Sequence, residues 1–265
     1  MQVASSDAQI HYEVLGKGPD LVLLHPFPAS HEFWMPVAEA LAARYRVTLP
    51  DLRGHGASQP GSGPATMEKQ ATDLARVCDD AGIGKAVFGG VSIGGYVLFE
   101  FWRRHRERVA GLMLCCTRAN ADTEEGRAAR LASVDEVAKR GPEPFLDAQI
   151  ERLVGETTHR NRPDIAAAAR RMMGQMTVAG IAEVQRGMAV RPDSTPTLAT
   201  INVPTLIVAG EEDVVAPLEE AQRMHRAVAG SQLRVISKAG HYAVFERPEA
   251  ASEIIREFLG GTAKG

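Results

Sequence analysis

Five short runs in this sequence are apolar at nearly every position and show no alternating polar face. Strands buried on both faces show this pattern, whereas a strand with one face in water alternates. The runs are residues 21–24, 47–49, 86–88, 112–114 and 205–208. Stretches of helical periodicity separate them, so the sequence predicts an α/β fold with a mostly parallel central sheet flanked by helices. In such a fold, ligands bind at the carboxyl ends of the strands.

The clearest helix is predicted between residues 67 and 81, where apolar side chains recur at the spacing of one helical face. They are Met67, Ala71, Leu74, Cys78 and Ala81, and Gly82 ends the pattern. The amino-terminal segment differs from the rest. Residues 9–14 alternate polar and apolar, a glycine-rich turn follows at residues 16–19, and the first apolar run comes next. This order predicts an antiparallel hairpin.

Composition and charge restrict the class of partner. The 265 residues are 45% hydrophobic, which is enough for a large core, and the formal net charge of −3 gives no field that would gather nucleic acid or an anionic membrane. No apolar run approaches the roughly 20 residues of a membrane span, and the first residues do not resemble a signal segment. We therefore expect a cytoplasmic protein with a small-molecule partner, no nucleic-acid partner and no membrane partner. A monomer and a homodimer both remain open.

The three cysteines are expected to be buried thiols. Cys115 and Cys116 are adjacent, and a disulfide between neighbours is strained. Cys78 falls on the apolar stripe of the predicted helix. No second pair of cysteines or histidines accompanies them, so we predict no metal site.

The alternation of strand and helix stops between residues 120 and 199, where only helical patterns appear. Eighty residues is too long for a loop. The sequence therefore predicts two parts: an α/β core of residues 1–119 and 200–265, and a helical cap of residues 120–199 inserted over the sheet.

The pentapeptide Gly90-Val91-Ser92-Ile93-Gly94 lies between a predicted strand and a predicted helix. A serine on such a sharp turn points its hydroxyl out over the edge of the sheet, and the flanking glycines allow strand and helix to pass closely. The pentapeptide alone is a weak signal. Its strand-turn-helix context predicts that Ser92 is a nucleophile.

A serine hydroxyl needs a base, and a neutral imidazole oriented by a carboxylate is the usual one. His241 follows a strand-like segment and precedes the last predicted helix. Asp213 follows the apolar run at residues 205–208. Along the chain the three residues come in the order Ser92, Asp213, His241. The rival carboxylates are Glu211, Glu212 and Asp122.

An oxyanion formed at the substrate carbonyl needs two backbone N–H donors. The residue after the nucleophile, Ile93, supplies one by the geometry of the turn. The loop after the first apolar run reads His25-Pro26-Phe27-Pro28. Proline has no N–H, so Phe27 is the predicted second donor.

The glycine-rich segment at residues 51–58 lacks the Gly-Lys-Ser/Thr ending of a phosphate-binding loop. We interpret it as a structural turn held by Asp51 and Arg53. His11 and His31 are expected to be exposed strand and loop residues.

With these motifs in their order, the chain resembles the α/β-hydrolase superfamily from Gln9 to about Leu259. The motifs are His-Pro-Phe-Pro, Asp-Leu-Arg-Gly-His-Gly-Ala-Ser, the turn at Ser92, Gly-Glu-Glu-Asp and Ala-Gly-His. The Ser92-Ile93-Gly94-Gly95 segment and the short cap are similar to 3-oxoadipate enol-lactonases, small esterases and haloperoxidase-like enzymes. Pro26 departs from the glycine more often found there. Serine at position 92 separates the chain from the dehalogenase and epoxide hydrolase branches, which resemble it elsewhere but carry aspartate there.

The resemblance and the residues together predict a serine hydrolase with a catalytic triad and an oxyanion hole. It would cleave a carboxylic ester or lactone of small to medium size through an acyl-enzyme on Ser92, without a cofactor. Alternatives that use the same triad are an enol-lactonase, a perhydrolase or acyltransferase, and a carbon–carbon bond hydrolase. A non-catalytic ligand-binding receptor is a further alternative.

The predicted pocket is partly apolar. Its predicted lining residues, besides Phe27, are Trp34, Tyr96, Met172, Met176 and Tyr242. An enol-lactonase would also need cationic side chains for a dianionic substrate. The candidates for that role are Arg170, Arg171 and Arg186.

Overall fold

A computed structural model of the chain describes residues 1–262. Its sheet has eight strands in the order β1-β2-β4-β3-β5-β6-β7-β8. The strands are β1 (Gln2–Ser5), β2 (Ala8–Leu15), β3 (Asp20–Leu24), β4 (Arg46–Pro50), β5 (Ala86–Val91), β6 (Val109–Cys115), β7 (Thr205–Gly210) and β8 (Gln232–Ile236). All pairs from β4 to β8 are parallel. The predicted α/β fold with a mostly parallel sheet is confirmed.

Helices flank this sheet, and further helices lie in the stretch between β6 and β7. In chain order they are α1 (Met35–Leu41), α2 (Met67–Asp80), α3 (Ile93–His105), α4 (Glu124–Arg140), α5 (Glu143–Leu153), α6 (Glu156–Asn161), α7 (Pro163–Met173), α8 (Val178–Ala189), α9 (Thr195–Leu198), α10 (Leu218–Ala227), α11 (Ala243–Glu246) and α12 (Pro248–Thr262). Short 3-10 turns at His31–Trp34 and Arg106–Arg108 complete the set. The apolar stripe predicted from Met67 lies on α2, whose buried residues include Met67, Ala71, Leu74 and Cys78.

The amino-terminal hairpin differs from the prediction. The strand predicted at residues 9–14 is β2, and it does not pair with β3, because β4 lies between them in the sheet. Instead β2 pairs antiparallel with β1 on one side and with β4 on the other. The turn at residues 16–19 therefore connects β2 to β3, with β4 lying between these two strands in the sheet. The hairpin in the structure is formed by β1 and β2.

Helices α4 to α9 occupy the stretch between β6 and β7. Within it, α4 packs against α8, and α5 packs against α7. This is the helical cap of the predicted fold. The boundaries at residues 120 and 199 stay a proposal.

The parallel strands end at one edge of the sheet, and each is followed there by a loop or helix that carries polar side chains. Ser92 follows β5, Asp213 follows β7, and His241 comes five residues after the last residue of β8, Ile236. Phe27 lies in the loop after β3. The parallel direction of these strands is what gathers side chains from distant parts of the chain at this edge. Within residues 1–262, no helix combines the length and the apolar character needed to cross a membrane.

Candidate active site

Ser92 stands at a backbone position that L-amino acids seldom adopt. Its φ is +54° and its ψ is −113°, between the end of β5 and the first residue of α3. Two hydrogen bonds hold this turn to the end of β6 and the segment after it: the Ser92 N–H donates to the Cys115 carbonyl (3.1 Å), and the Thr117 hydroxyl donates to the Ser92 carbonyl (2.8 Å). A backbone conformation of this kind persists only where its surroundings fix it, and such positions cluster at functional sites.

The glycines on either side are required by close packing. A Cβ on Gly90 would lie 2.4 Å from the carbonyl carbon of Gly94, and a Cβ on Gly94 would lie 2.7 Å from the carbonyl oxygen of Leu24. Both obstacles are backbone atoms that cannot move aside. Without side chains at these positions, α3 turns back over β5 and β3 with Ser92 at the apex.

The structure brings His241 and Asp213 into contact. The Nδ1 of His241 lies 2.9 Å from Oδ2 and 3.1 Å from Oδ1 of Asp213. The exposed fraction is 1% for His241 and 6% for Asp213. The Asp213 Oδ1 also accepts the N–H groups of Val215 and Ala216, each at 2.8 Å. With Nδ1 donating to the carboxylate, the ring leaves Nε2 as its acceptor.

Burial acts to raise the pKa of Asp213, but the neighbouring His241 and the two backbone N–H groups outweigh it and hold the pKa below its ordinary value of 3.8. Asp213 is therefore ionised at neutral pH. The rival carboxylates have other partners: Glu211 accepts the N–H of Lys238, Glu212 accepts the N–H of Thr157, and Asp122 pairs with arginines.

Ser92 and His241 line the same cavity, which has a volume of about 530 Å³. Its walls come from the carboxyl edge of the sheet and from α4, α5 and α8 of the cap. In the part of the chain that the structure describes, no hydrogen bond joins the Ser92 hydroxyl to His241. Such contacts are often long before substrate binds.

The two predicted oxyanion donors lie at the turn and in the loop after β3. Ile93 is the first residue of α3, and the first N–H groups of a helix have no partner within it. Among the hydrogen bonds of residues 1–262, none uses the backbone N–H of Phe27. The Phe27 ring lines the cavity and packs against Phe145, with 6.1 Å between ring centroids.

His25 fixes the position of the loop that carries Phe27. Its Nδ1 lies 2.8 Å from the Pro26 carbonyl oxygen, and its Nε2 accepts the N–H of Leu52 at 2.9 Å. Burial lowers the pKa of His25 to about 4, so the ring is neutral and can accept at Nε2. This bond ties the Phe27 loop to the glycine-rich segment that follows β4.

That segment is held by Asp51 and Arg53, both fully buried. Arg53 forms a two-pronged ion pair with Asp73 (2.8 and 2.7 Å) and a further pair with Asp7 (2.5 Å). Asp51 accepts the N–H groups of His31 (2.7 Å) and Ala57 (2.9 Å). The segment has the structural role that its sequence indicates.

One group of side chains in residues 1–262 could hold a metal ion. It consists of His11, His31 and Asp51, whose ligand atoms lie within 4.8 Å of one another. Both imidazoles contact the Asp51 carboxylate directly, at 3.1 and 2.9 Å, and the two histidines are partly buried rather than exposed. Each carboxylate oxygen already has a backbone N–H and an imidazole as partners. The cluster is explained as a hydrogen-bond network without an ion.

The predicted pocket residues separate into two groups. Tyr96 lines the cavity, as does Phe27. The structure instead places four others, Trp34, Met172, Met176 and Tyr242, in the hydrophobic core outside the lining of this cavity. Tyr242, for example, is fully buried against Phe33, with 5.1 Å between ring centroids.

The proposed cationic residues of the cap also lie elsewhere. Arg170 pairs with Glu143 and Asp147, and Arg186 pairs with Glu183. Neither these two nor Arg171 lines the cavity. Different arginines do, namely Arg118, Arg130 and Arg152. Arg152 has a detectable signal, since Phe145, Gln149 and Arg152 recur at the spacing of one helical face, but the sequence does not say which face of α5 meets the sheet.

Comparison with known proteins agrees with this architecture. The sequence matches the α/β hydrolase fold family over residues 19–248. The structure is similar to that of a thermophilic esterase from Thermogutta terrifontis solved with malate bound, with 39% identity, a TM-score of 0.96, and coverage of 99% of this chain and 98% of that one.

Two further relatives carry the name enol-lactonase. The structure of the enzyme from Burkholderia xenovorans is 26% identical, with a TM-score of 0.91, and the match covers 98% of this chain and all of that one (100%). The 3-oxoadipate enol-lactonase 1 of Acinetobacter baylyi is 27% identical over 91% of this chain and 88% of its own length. With the family match spanning most of the chain, the protein belongs to the α/β hydrolase fold family.

Proposed function

We propose that this protein is a serine hydrolase that cleaves a carboxylic ester or lactone through an acyl-enzyme on Ser92. One observation carries the proposal. A serine on a strained turn shares a cavity with His241, whose ring is oriented by a buried, ionised Asp213. The esterase and enol-lactonase names of the relatives support the bond type.

In the first half of the reaction, the Ser92 hydroxyl attacks the substrate carbonyl while the Nε2 of His241 takes its proton. Asp213 stabilises the imidazolium that forms. The N–H groups of Phe27 and Ile93 stabilise the oxyanion. The protonated His241 then gives its proton to the leaving alkoxide, and the acyl group remains on Ser92.

In the second half, His241 takes a proton from water, and the hydroxide attacks the acyl carbonyl. Collapse of the second tetrahedral intermediate breaks the bond to Ser92, and the proton held by His241 returns to the serine oxygen. Water is consumed, and a carboxylic acid and an alcohol are released. For a lactone, acid and alcohol leave as one molecule.

The test is hydrolysis of p-nitrophenyl esters from acetate to octanoate by the native protein, Ser92→Ala and His241→Ala. We expect turnover by the native protein and a loss of at least about 10³-fold in kcat for both variants. The chain-length preference would then report the depth of the cavity. Ser58→Ala is not a suitable control because the Ser58 hydroxyl bonds the Asp51 carbonyl. Ser237→Ala is the control, because Ser237 is exposed and its hydroxyl forms no hydrogen bond within residues 1–262.

If the native protein leaves every ester intact, or if Ser92→Ala matches it, the hydrolase proposal fails. A ligand-binding role for the cavity would then take its place.

A further inference from the structure

The cap presents one face of each of two helices to the cavity that contains Ser92, and each face carries both polar and apolar residues. On α4, the lining residues Gly126, Ala129, Arg130 and Ser133 recur at intervals of three and four, and on α5 Phe145, Gln149, Arg152 and Leu153 do the same. This is the spacing of one face of each helix. The wall opposite the sheet therefore carries amide and guanidinium groups.

Charges on this wall do not cancel. Asp122 is a single carboxylate that pairs with three arginines: Arg118 at 3.0 Å, Arg130 at 2.6 Å and Arg191 at 2.7 Å. The cluster has a net charge of +2, with Arg191 lying outside the cavity lining. Glu220 also lines the cavity, and its carboxylate contacts Arg223 at 3.3 Å and acts electrostatically on Arg118. Among the lining residues alone, the three arginines Arg118, Arg130 and Arg152 exceed the two carboxylates Asp122 and Glu220 by one positive charge.

Some hydrogen-bond donors on this wall have no partner in the described part of the protein. Within residues 1–262, neither Arg152 nor Gln149 forms a hydrogen bond or an ion pair with another side chain. The Nε of Arg118 is buried and has no partner either. A guanidinium without a carboxylate partner beside a cavity is a ready site for an anion, because its planar donors match the two oxygens of a carboxylate.

We propose that this wall binds a carboxylate group of the substrate, with Arg152 and Gln149 as the receiving side chains and the arginine cluster around Asp122 supplying the favourable potential. The substrate would then be an ester or lactone that carries a free carboxylate apart from the bond that is cut. This proposal rests on the function proposed above for the same cavity. The bound carboxylate takes no part in the bond changes and serves to orient the acyl or alcohol portion toward Ser92.

The experiment compares matched esters that differ in one charge. Mono-4-nitrophenyl adipate and its methyl ester place the charge or its neutral equivalent on the acyl side, and 4-acetoxybenzoate and its methyl ester place it on the alcohol side. We expect the native protein to prefer the charged member of at least one pair by about tenfold or more in kcat/KM, less so at 0.5 M salt.

The variant Arg152→Gln should lower kcat/KM for that charged ester at least about tenfold and leave its neutral partner within about twofold. Arg160→Gln is the matched control, since Arg160 is an exposed cap arginine that pairs with Glu156 and lies outside the cavity lining. Equal rates for both members of both pairs would overturn the proposal, as would an unchanged preference in Arg152→Gln.

A binding measurement separates this proposal from the hydrolase function. Adipate should raise the melting temperature of the native protein and of Ser92→Ala, and it should not do so for Arg152→Gln. A chain that hydrolyses no ester but shows this pattern retains the carboxylate site and loses the hydrolase function. No adipate-dependent shift in the native protein, together with turnover of neutral esters, overturns the carboxylate site alone.

Discussion

Asp213 fixes which nitrogen of His241 faces the cavity. Its contact with Nδ1 at 2.9 Å requires the proton there and leaves Nε2 as the acceptor. An asparagine at this position can donate its own amide protons to Nδ1 and so favours the opposite tautomer, with Nε2 protonated.

We therefore expect Asp213→Asn to keep the fold and to lower kcat for p-nitrophenyl acetate by about 10³ to 10⁴-fold. Glu219→Gln, which alters an exposed carboxylate six residues further along, is the control and should stay within about twofold. Stopped-flow or steady-state rates at pH 7 to 9 measure both. An Asp213→Asn enzyme with more than a tenth of native kcat would contradict the assigned role.

The side chains with strong local signals could be predicted from sequence, and the rest of the cavity could not. Ser92, Asp213 and His241 each follow a strand, so topology alone gathers them. Trp34 and Tyr242 are aromatic residues of the kind that lines apolar pockets, but the structure buries both among other aromatic rings. Their placement depends on the orientation of the helices relative to the sheet, and no sequence motif indicates that orientation.

At the scale of elements, the turn between β5 and α3 depends on the absence of side chains at its glycines. A Cβ at position 90 would lie 2.4 to 2.7 Å from backbone atoms of Gly94 and Gly95, so the helix would have to shift away from the strand.

Gly90→Ala should therefore lower the free energy of unfolding by about 1–3 kcal/mol or more and disturb the position of Ser92. Gly84→Ala is the matched control, because a Cβ there meets nothing within 4 Å. Urea denaturation followed by circular dichroism gives both midpoints. Equal midpoints for the two variants would show that the turn tolerates a side chain.

A second element-scale feature joins the cap to the loop of His241. Glu246 is buried at the end of α11, where one carboxylate oxygen accepts the N–H of Gly240 at 2.8 Å and the other accepts the N–H of Gly155 at 3.0 Å. The N–H of Tyr242 donates to the Leu153 carbonyl at 2.9 Å. Gly240 directly precedes His241, so the junction of α5 and α6 helps to position the imidazole.

In Glu246→Gln, one of the two carboxylate oxygens becomes an amide NH2 group. That group is a donor, and it would face a backbone N–H that is also a donor. An unpaired buried donor costs about 1–3 kcal/mol, so we expect the loop to shift and kcat to fall about tenfold, with KM within about twofold. The acid limb of the pH–rate profile should also move to lower pH, because the substitution removes a negative charge bonded to the residue next to His241 and so disfavours its protonated form. Glu257→Gln, on the exposed side of α12, should behave as the native protein. Unchanged kcat and pH profile in Glu246→Gln would exclude this positioning role.

The element prediction that was wrong has a physical reason. Strand β2 shows its alternation clearly, yet its partner β4 begins 31 residues after β2 ends. Turn-forming residues indicate only how two segments that are adjacent in the sequence are connected. The buried strands β3, β5, β6 and β7 could be predicted because a strand that is buried on both faces is apolar at nearly every position.

For the molecule as a whole, alternation of buried strands and helices is enough to predict the fold class, since few architectures bury a parallel sheet on both faces. The length of the gap between β6 and β7 is enough to predict a cap. The polarity of the cap wall could not be predicted in this way, because it depends on the packing between α4, α5 and α8 and on the ion pairs of Asp122.

From these ion pairs we predict how the free energy of unfolding of the whole protein changes in acid. Burial acts to raise the pKa of Asp122, but its arginine partners outweigh burial and lower the pKa from 3.8 to about 2. The pKa values of Asp51 and Asp213 are also lowered. When the folded-state pKa lies below the unfolded value, the unfolded chain binds protons first as the pH falls. The stabilisation is therefore complete above about pH 5 and is lost as the pH falls through 3.8 toward 2.

Asp122 alone should contribute about 2 kcal/mol to this loss. Glu246 acts in the opposite sense, because burial raises its pKa above 4.5 and so penalises its ionised form as the pH rises. Urea unfolding at pH 7, 5, 4 and 3 measures the net result, which we expect to be a steep fall below pH 4. Asp122→Asn should be less stable at pH 7 and should lose less on acidification than the native protein. Parallel stability curves for the two proteins would mean that the arginine cluster does not hold Asp122 in its ionised form.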